Sequence, residues 1–415
     1  MPEQRCGVQH YASGQLAAKE ALTAGKDALV VGAGFAGSVV ARELAERAGL
    51  KVLVLEQRSH VGGNAHDTYD EAGVLIHSYG PHIFHTDSQR AYDYLSRFTE
   101  WRNYQHEVQA NIQGTLTPVP FNFNSIEQHF ETDKAQDLIK ALEESFGPDT
   151  KVPIIELRKT SDPLLAELAN FVYENVFLYY TLKQWGLKPE EIDESVTARV
   201  PIYTGRDNRY FTDSLQGMPL DGYTPLFDKM LCHENITVVL DMDARDLLGF
   251  SKEKRNGSES YVQIELAEQP FDGPLVYTGP LDFLAKQCFG LLPYRSLDFV
   301  YKTLPQKHFQ PVGTVNYTVS EDFTRITEYT WLTGQELDIT TIMEEYPLPF
   351  EDKPGQVPYY AIPGPANQEA YERYLALFEE LPRFYALGRL AEYRYFNMDQ
   401  IVVRALKLAD RIIEN

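Results

Sequence analysis

Apolar positions along this chain recur first at strand and helix spacing together, then at helix spacing alone, and last at the two-residue period of strands. An unbroken apolar run, Ala28 to Val31, predicts a strand, and Val39, Val40, Ala41 and Leu44 beyond it predict a helix. Lys51 to Leu55 reads as a second strand. Ser125 and Gln128 form a capping-box pattern that opens a helix with Leu138, Ile139, Leu142 and Phe146 on one face, closed by Gly147-Pro148. Asp162-Pro163 opens another helix, with Leu164, Leu165, Leu168, Phe171 and Val172 at core spacing and a stop near Gly186. From about residue 260 the pattern alternates. Tyr261 to Leu266, Leu275 to Thr278, Gly313 to Val319 and Thr324 to Trp331 all read as strands, with Asn256-Gly257 as an exposed hairpin tip. Prolines between Pro347 and Pro365 predict an irregular loop able to carry a site. Phe384 to Leu387 reads as a short strand, Gly388-Arg389 as a turn, and Asp399 onward as an amphipathic helix.

Between the first strand and helix stand Gly32, Gly34 and Gly37, a GxGxxG in the setting that gives it meaning. Gly32 permits a tight turn, Gly34 admits a pyrophosphate to the backbone, and Gly37 lets helix and strand pack closely; the helix start, from Phe35, favours the phosphate charge. Glu56, at the end of the second strand, stands where a carboxylate meets the adenosine ribose. Gln57, Arg58, Gly62-Gly63 and Asn64 follow, an acid-to-paired-glycine run that resembles the extended signature of the large FAD-binding flavoproteins. FAD is thereby favoured over NAD. The helix that starts near Met398 and Asp399, after Gly388 and Arg389, would aim backbone N–H groups at an anionic group, and reduced flavin is anionic.

The length, 415 residues, calls for two or three domains. The fold class expected is mixed α/β: an FAD-binding Rossmann-like domain, a helical insertion domain and an antiparallel β-sheet domain. The first is discontinuous, over residues 26–110, about 215–250 and 380–415; helices occupy 120–205, and the antiparallel sheet 255–350 with part of 77–120. Residues 1–25 are a polar extension with no clear role. Cys6, Cys232 and Cys288 are odd in number and widely spaced, so neither a disulfide framework nor a zinc site is expected, and a reducing cytoplasm fits. No apolar stretch approaches a membrane span, and the first 26 residues lack a signal-peptide plan. A formal charge of −22 argues against nucleic acid and anionic membranes; a phosphorylated ligand would need converging arginines. His82 and His85 lack a third ligand at useful spacing, so no metal is expected.

Five further segments stand in order: Tyr79-Gly80-Pro81-His82-Ile83-Phe84-His85-Thr86, Tyr180-Thr181-Leu182-Lys183-Gln184-Trp185-Gly186, Gln216-Gly217-Met218-Pro219, Thr324-Arg325-Ile326-Thr327-Glu328, and Gly388-Arg389-Leu390 with Tyr393-Arg394-Tyr395. Together they closely resemble the bacterial UDP-galactopyranose mutases, from about residue 27 to the end. The resemblance implies a flavin-dependent isomerase that interconverts UDP-galactopyranose and UDP-galactofuranose, the latter for cell-surface glycans. Ring contraction would run through a covalent adduct at N5 of reduced FAD, without net redox change. It further implies UDP as a ligand, a cellular reductant such as NAD(P)H, and a homodimer or larger homo-oligomer.

Carried onto this chain, the family's two diphosphate arginines are Arg199 and Arg325, arginine suiting a diphosphate through its fork of donors. By pattern alone Phe177, Tyr180 and Trp185 would read as a core stripe; the resemblance makes Tyr180 and Phe177 flank the uracil and sets Trp185 over the galactose, with Trp185 to Arg199 as a closing lid. Tyr359, Tyr360 and Tyr395 resemble the tyrosines around the diphosphate, and Tyr210 and Asn316 join the substrate set. The loop of His82 and His85 is placed over the flavin, where both are candidates for a catalytic role. Asn397 stands where many relatives carry aspartate, so an amide replaces a carboxylate there. The competing readings are an amine-oxidase-like FAD oxidoreductase and a non-catalytic FAD- or UDP-binding protein.

Overall fold

The computed structural model describes residues 8–10, 22–188, 201–255 and 258–414. Its centre is a six-stranded parallel sheet in the order Val8–His10, Ile236–Leu240, Val52–Leu55, Ala28–Val31, Leu275–Tyr277, Phe384–Ala386. The inner strands are continuous apolar runs because helices and sheets cover both faces. Helix Phe35–Ala48 follows the first glycine turn directly, and helix Met398–Glu414 packs beside it through Ile401, Val402, Ala405 and Leu408. Leaving this sheet after Val52–Leu55, the chain returns only at Ile236–Leu240, and the intervening residues build the rest of the site.

The glycine turn is enforced locally. Gly32 has φ +100°, and a Cβ there would lie 2.0 Å from Thr278 Oγ1; a Cβ on Gly37 would lie 1.9 Å from Gly32 O. Gly37→Ala is therefore expected to push helix Phe35–Ala48 off the sheet. Purified protein should carry much less bound flavin and melt well below the parent, whereas unchanged flavin content would contradict this account of the turn.

The second sheet has seven strands in the order Tyr360–Ala361, Tyr294–Leu304, Thr340–Pro349, Arg325–Glu328, Thr314–Tyr317, Val108–Ile112, Thr115–Val119. It corrects the expected antiparallel unit over 255–350 in three ways. Thr314–Tyr317 pairs parallel with Val108–Ile112, so the sheet is mixed. Leu275–Tyr277 lies in the parallel sheet, between Ala28–Val31 and Phe384–Ala386. Ser258–Leu266 pairs with Leu248–Arg255 and Gln269–Phe271 in a separate three-stranded sheet. The strand expected to reach Trp331 stops at Glu328, whose buried carboxylate accepts from Phe309 N, Gln310 N and Thr340 Oγ1; Tyr329–Thr333 is a short helix. Pro347 and Pro349 finish a strand, and the irregular loop begins after them.

The helical part has its own core, built on Leu138, Leu142, Leu165, Leu168 and Val172. Its first helix is Phe123–His129, and its capping box is Asn122 with Ser125, not Ser125 with Gln128; Thr132–Phe146 is a separate helix. Asp162 caps helix Pro163–Val172 by accepting from Leu164 N at 2.8 Å. A π-helical turn, Tyr173–Leu178, then leads into helix Tyr179–Trp185, which Gly186 ends at φ +71°. Residues 1–25 read in the sequence as a polar extension with no clear role; Val8–His10 pairs with Val238–Leu240 as an edge strand. The tip at Asn256-Gly257 lies outside the described residues. Among the described residues no helix is long and apolar enough to cross a membrane, and no cluster of three or more His, Cys, Asp or Glu is placed to hold a metal.

Candidate active site

Two cavities meet at the carboxyl ends of the parallel strands. The smaller, about 460 Å³, runs along the glycine turn and is lined by Gly32, Gly34, Phe35, Glu56, Gln57, Arg58, Gly63, Asn64, Gly388, Arg389 and Met398. The larger, about 1120 Å³, lies between the parallel sheet, the seven-stranded sheet and the helical part. Asn64, His82, Arg389 and Met398 line both. The junction faces the end of helix Met398–Glu414.

The smaller cavity fits a flavin dinucleotide. A Cβ on Gly63 would lie 3.1 Å from Gly34 Cα, so side chains at these facing glycines would fill the space a pyrophosphate needs. Gly34 starts helix Phe35–Ala48 without a side-chain cap, which leaves first-turn N–H groups for an anion. Arg58 donates to Asn64 Oδ1 at 2.9 Å and stacks on the Tyr79 ring, while its buried Nη1 has no partner among the described residues. Glu56 is buried, each oxygen accepting one backbone N–H, from Ala33 and Arg58. A second lone pair on each oxygen could accept from a ribose hydroxyl. Gly37 and Asp399 stand behind this wall: Gly37 packs helix on strand, and Asp399 accepts from Thr86 Oγ1 at 2.8 Å.

The larger cavity gathers His82, His85, Tyr180, Trp185, Tyr210, Asn316, Arg325, Tyr359, Tyr360, Tyr395 and Asn397. Strand pairing sets Asn316 opposite Arg325. Arg325 gives Nε and Nη2 to the fully buried Glu345 at 2.9 and 2.6 Å. Burial opposes its charge, but Glu345 and the tyrosines Tyr180 and Tyr360 hold its pKa above the ordinary arginine value. Burial pushes the Tyr360 phenol up to about 12 and raises Tyr180 and Tyr359, so these hydroxyls remain donors. Tyr360 and Tyr395 stack at 6.1 Å, Trp185 lies 5.8 Å from Tyr360, and the Arg389 guanidinium sits 4.4 Å over Tyr395. A cationic, hydroxyl-rich wall thus stands inside an acidic chain.

His82 Nδ1 lies 2.9 Å from Gly80 O, and a carbonyl only accepts, so Nδ1 carries the proton. Burial lowers the His82 pKa to about 3, aided by His77, and the ring is neutral with Nε2 as an acceptor. His85 Nδ1 pairs with Asp213 Oδ2 at 3.0 Å, and its ring stacks on Phe211. Phe177 does not line either cavity. It is buried in the core of the helical part, because the π-helical turn shifts the register between it and Tyr180. Arg199, and the proposed lid beyond residue 188, lie outside the described residues.

Sequence reasoning missed Glu345, Asp213 and Phe211, whose partners are distant in the chain, and the groove residues Met242 to Arg245 and Thr278. For Thr278 a signal existed: Thr278-Gly279 directly follows a strand of the parallel sheet, and its Oγ1 donates to Val31 O at 2.8 Å. No comparable pattern marked the others.

A dinucleotide groove opening into an arginine- and tyrosine-lined chamber defines a flavin-dependent enzyme acting on an anionic substrate. Residues 30–98 match an NAD(P)-binding Rossmann-like domain, and residues 175–395 match the UDP-galactopyranose mutase family. The chain belongs to that family of flavin-dependent isomerases, with FAD as cofactor. It is 35% identical to the UDP-galactopyranose mutase of Mycoplasma pneumoniae, over 94% of this chain and 96% of that one. It is 34% identical to the probable UDP-galactopyranose mutase of Klebsiella pneumoniae over 94% and 95%, and 31% identical to the dTDP-fucopyranose mutase of Escherichia coli over 93% and 98%. A crystal structure of reduced UDP-galactopyranose mutase matches the fold with a TM-score of 0.64 at 15% identity, covering 94% of both chains. A putative protoporphyrinogen oxidase from Exiguobacterium shares the fold at a TM-score of 0.58 and 13% identity, over 94% and 99%.

Proposed function

We propose that this chain interconverts UDP-galactopyranose and UDP-galactofuranose with no net redox change. The observation that carries the reading is the junction of the two cavities at His82, Arg389 and Met398, faced by Arg325 and the tyrosine wall. When bound and reduced, FAD supplies a nucleophilic nitrogen, N5, to the anomeric carbon. Every other task falls to the chain. Arg325, preorganised by Glu345, and the hydroxyls of Tyr359, Tyr360 and Tyr395 take the diphosphate and stabilise its charge as the anomeric bond breaks. Asn316, Asn397 and Trp185 orient the sugar, Tyr180 and Tyr210 the base side. His82 Nε2 offers an acceptor at the junction, and His85 is braced by Asp213. Oriented binding of one substrate against one cofactor makes a protein nucleophile unnecessary. Arg199 is proposed as the second diphosphate arginine. A cellular reductant such as NAD(P)H, a homo-oligomeric state and a cytoplasmic setting complete the proposal.

An amine-oxidase-like FAD oxidoreductase would share the groove but would consume oxygen with its substrate. In an oxygen electrode, UDP-galactopyranose is expected to cause no uptake above that of the reduced enzyme alone. Sustained, substrate-dependent uptake with formation of an oxidised sugar would overturn the reading.

A further inference from the structure

Lys183 lines neither cavity, and its ammonium is committed to backbone. Nζ donates to the carbonyl oxygens of Tyr317 at 2.5 Å, Glu321 at 2.9 Å and Phe323 at 3.1 Å. Those three donors are all a lysine has. The carbonyls belong to the turn joining strands Thr314–Tyr317 and Arg325–Glu328, the hairpin that carries Asn316 and Arg325. Lys183 itself stands on helix Tyr179–Trp185, between Tyr180 and Trp185. Three further hydrogen bonds, from two side chains, support the joint. Arg295, opposite Tyr360 in the seven-stranded sheet, donates to Lys183 O and Gln184 O at 3.0 and 2.8 Å, and Thr318 Oγ1 donates to Asn175 O at 2.5 Å in the π-helical turn. A helix from one part of the chain and a hairpin from another are thus joined next to the residues that line the chamber.

We propose that Lys183 is a positioning residue: seated in the Tyr317–Phe323 turn, it fixes the helix bearing Tyr180 and Trp185 against the hairpin bearing Asn316 and Arg325, so that both walls of the chamber meet the nucleotide sugar together. The inference rests on assigning this chamber to a UDP-sugar. A methionine of similar length would leave three carbonyls unpaired in a half-buried place, and the two walls would be free to shift.

The test is steady-state kinetics of FAD-replete, dithionite-reduced Lys183→Met with UDP-galactofuranose, beside UDP affinity and melting temperature. KM and the UDP dissociation constant are expected to rise about tenfold or more, the size of one charge-assisted hydrogen bond. Lys183→Cys, aminoethylated with 2-bromoethylamine to restore the ammonium, should recover most of the loss, with identically treated parent as control. A merely structural lysine would lower the melting temperature and the folded yield but leave KM of the folded fraction alone, and that result would overturn the proposal. Should Lys183→Met not fold, Thr318→Val cuts the second link conservatively; it must raise KM in the same direction, and an unchanged KM would equally overturn it. The parent enzyme separates the two failures. If it does not convert the substrate, the UDP-sugar assignment falls and this inference with it; if it does while Lys183→Met matches it, only Lys183 was misread.

Discussion

Arg325→Ala is expected to lose at least about a hundredfold in kcat/KM and to unfold at a markedly lower temperature. The two charge-assisted contacts proposed between Arg325 and the diphosphate are worth roughly 1.5–3 kcal/mol each, and a leaving group gaining charge raises their value in the transition state. The stability loss has a separate origin. Glu345 is fully buried and its Oε2 takes two charged hydrogen bonds from Arg325, so truncation strands a carboxylate, at roughly 3–5 kcal/mol. The double variant Arg325→Ala with Glu345→Gln removes that buried charge. It should regain much of the melting temperature and none of the turnover. Recovery of turnover in the double variant would show that Arg325 serves the fold alone.

A second large effect is expected from the flavin's redox state. Among the described residues of the chamber, His82 is neutral and committed at Nδ1, His85 is paired to Asp213, and the Thr212 hydroxyl accepts from the Lys151 ammonium. In the proposed mechanism, attack on the anomeric carbon depends on an electron-rich flavin, and the oxidised ring lacks that electron density. Turnover should be undetectable in oxidised enzyme and appear on dithionite reduction without consumption of reductant per cycle. Equal rates before and after reduction would remove the flavin from the chemistry.

What the sequence discloses follows how local the cause is. Gly37 is legible because the contact that requires it, with Gly32 O, lies within a few residues, and Asp162-Pro163 because a cap needs only its own helix. The π-helical turn at Tyr173–Leu178 is not, since its Asn175 carbonyl is taken by Thr318, 143 residues on. That turn decides which aromatic faces the chamber: Tyr180 does, and Phe177 goes to the core. Glu345 carries no signal of its own in the sequence, and its role shows only when strand pairing sets Arg325 beside it. Val8–His10 becomes a strand only through Val238–Leu240, and such a short polar segment has no period of its own. Eleven of the predicted substrate and catalytic residues do line one chamber, brought there by three separate parts of the chain.

The most direct test is chromatographic analysis of UDP-galactofuranose incubated anaerobically with FAD-replete, dithionite-reduced enzyme. The expected result is UDP-galactopyranose appearing at the expense of the furanose, with total nucleotide unchanged and no conversion in the oxidised control. Furanose that remains unconverted by folded, reduced, FAD-loaded enzyme would contradict the account.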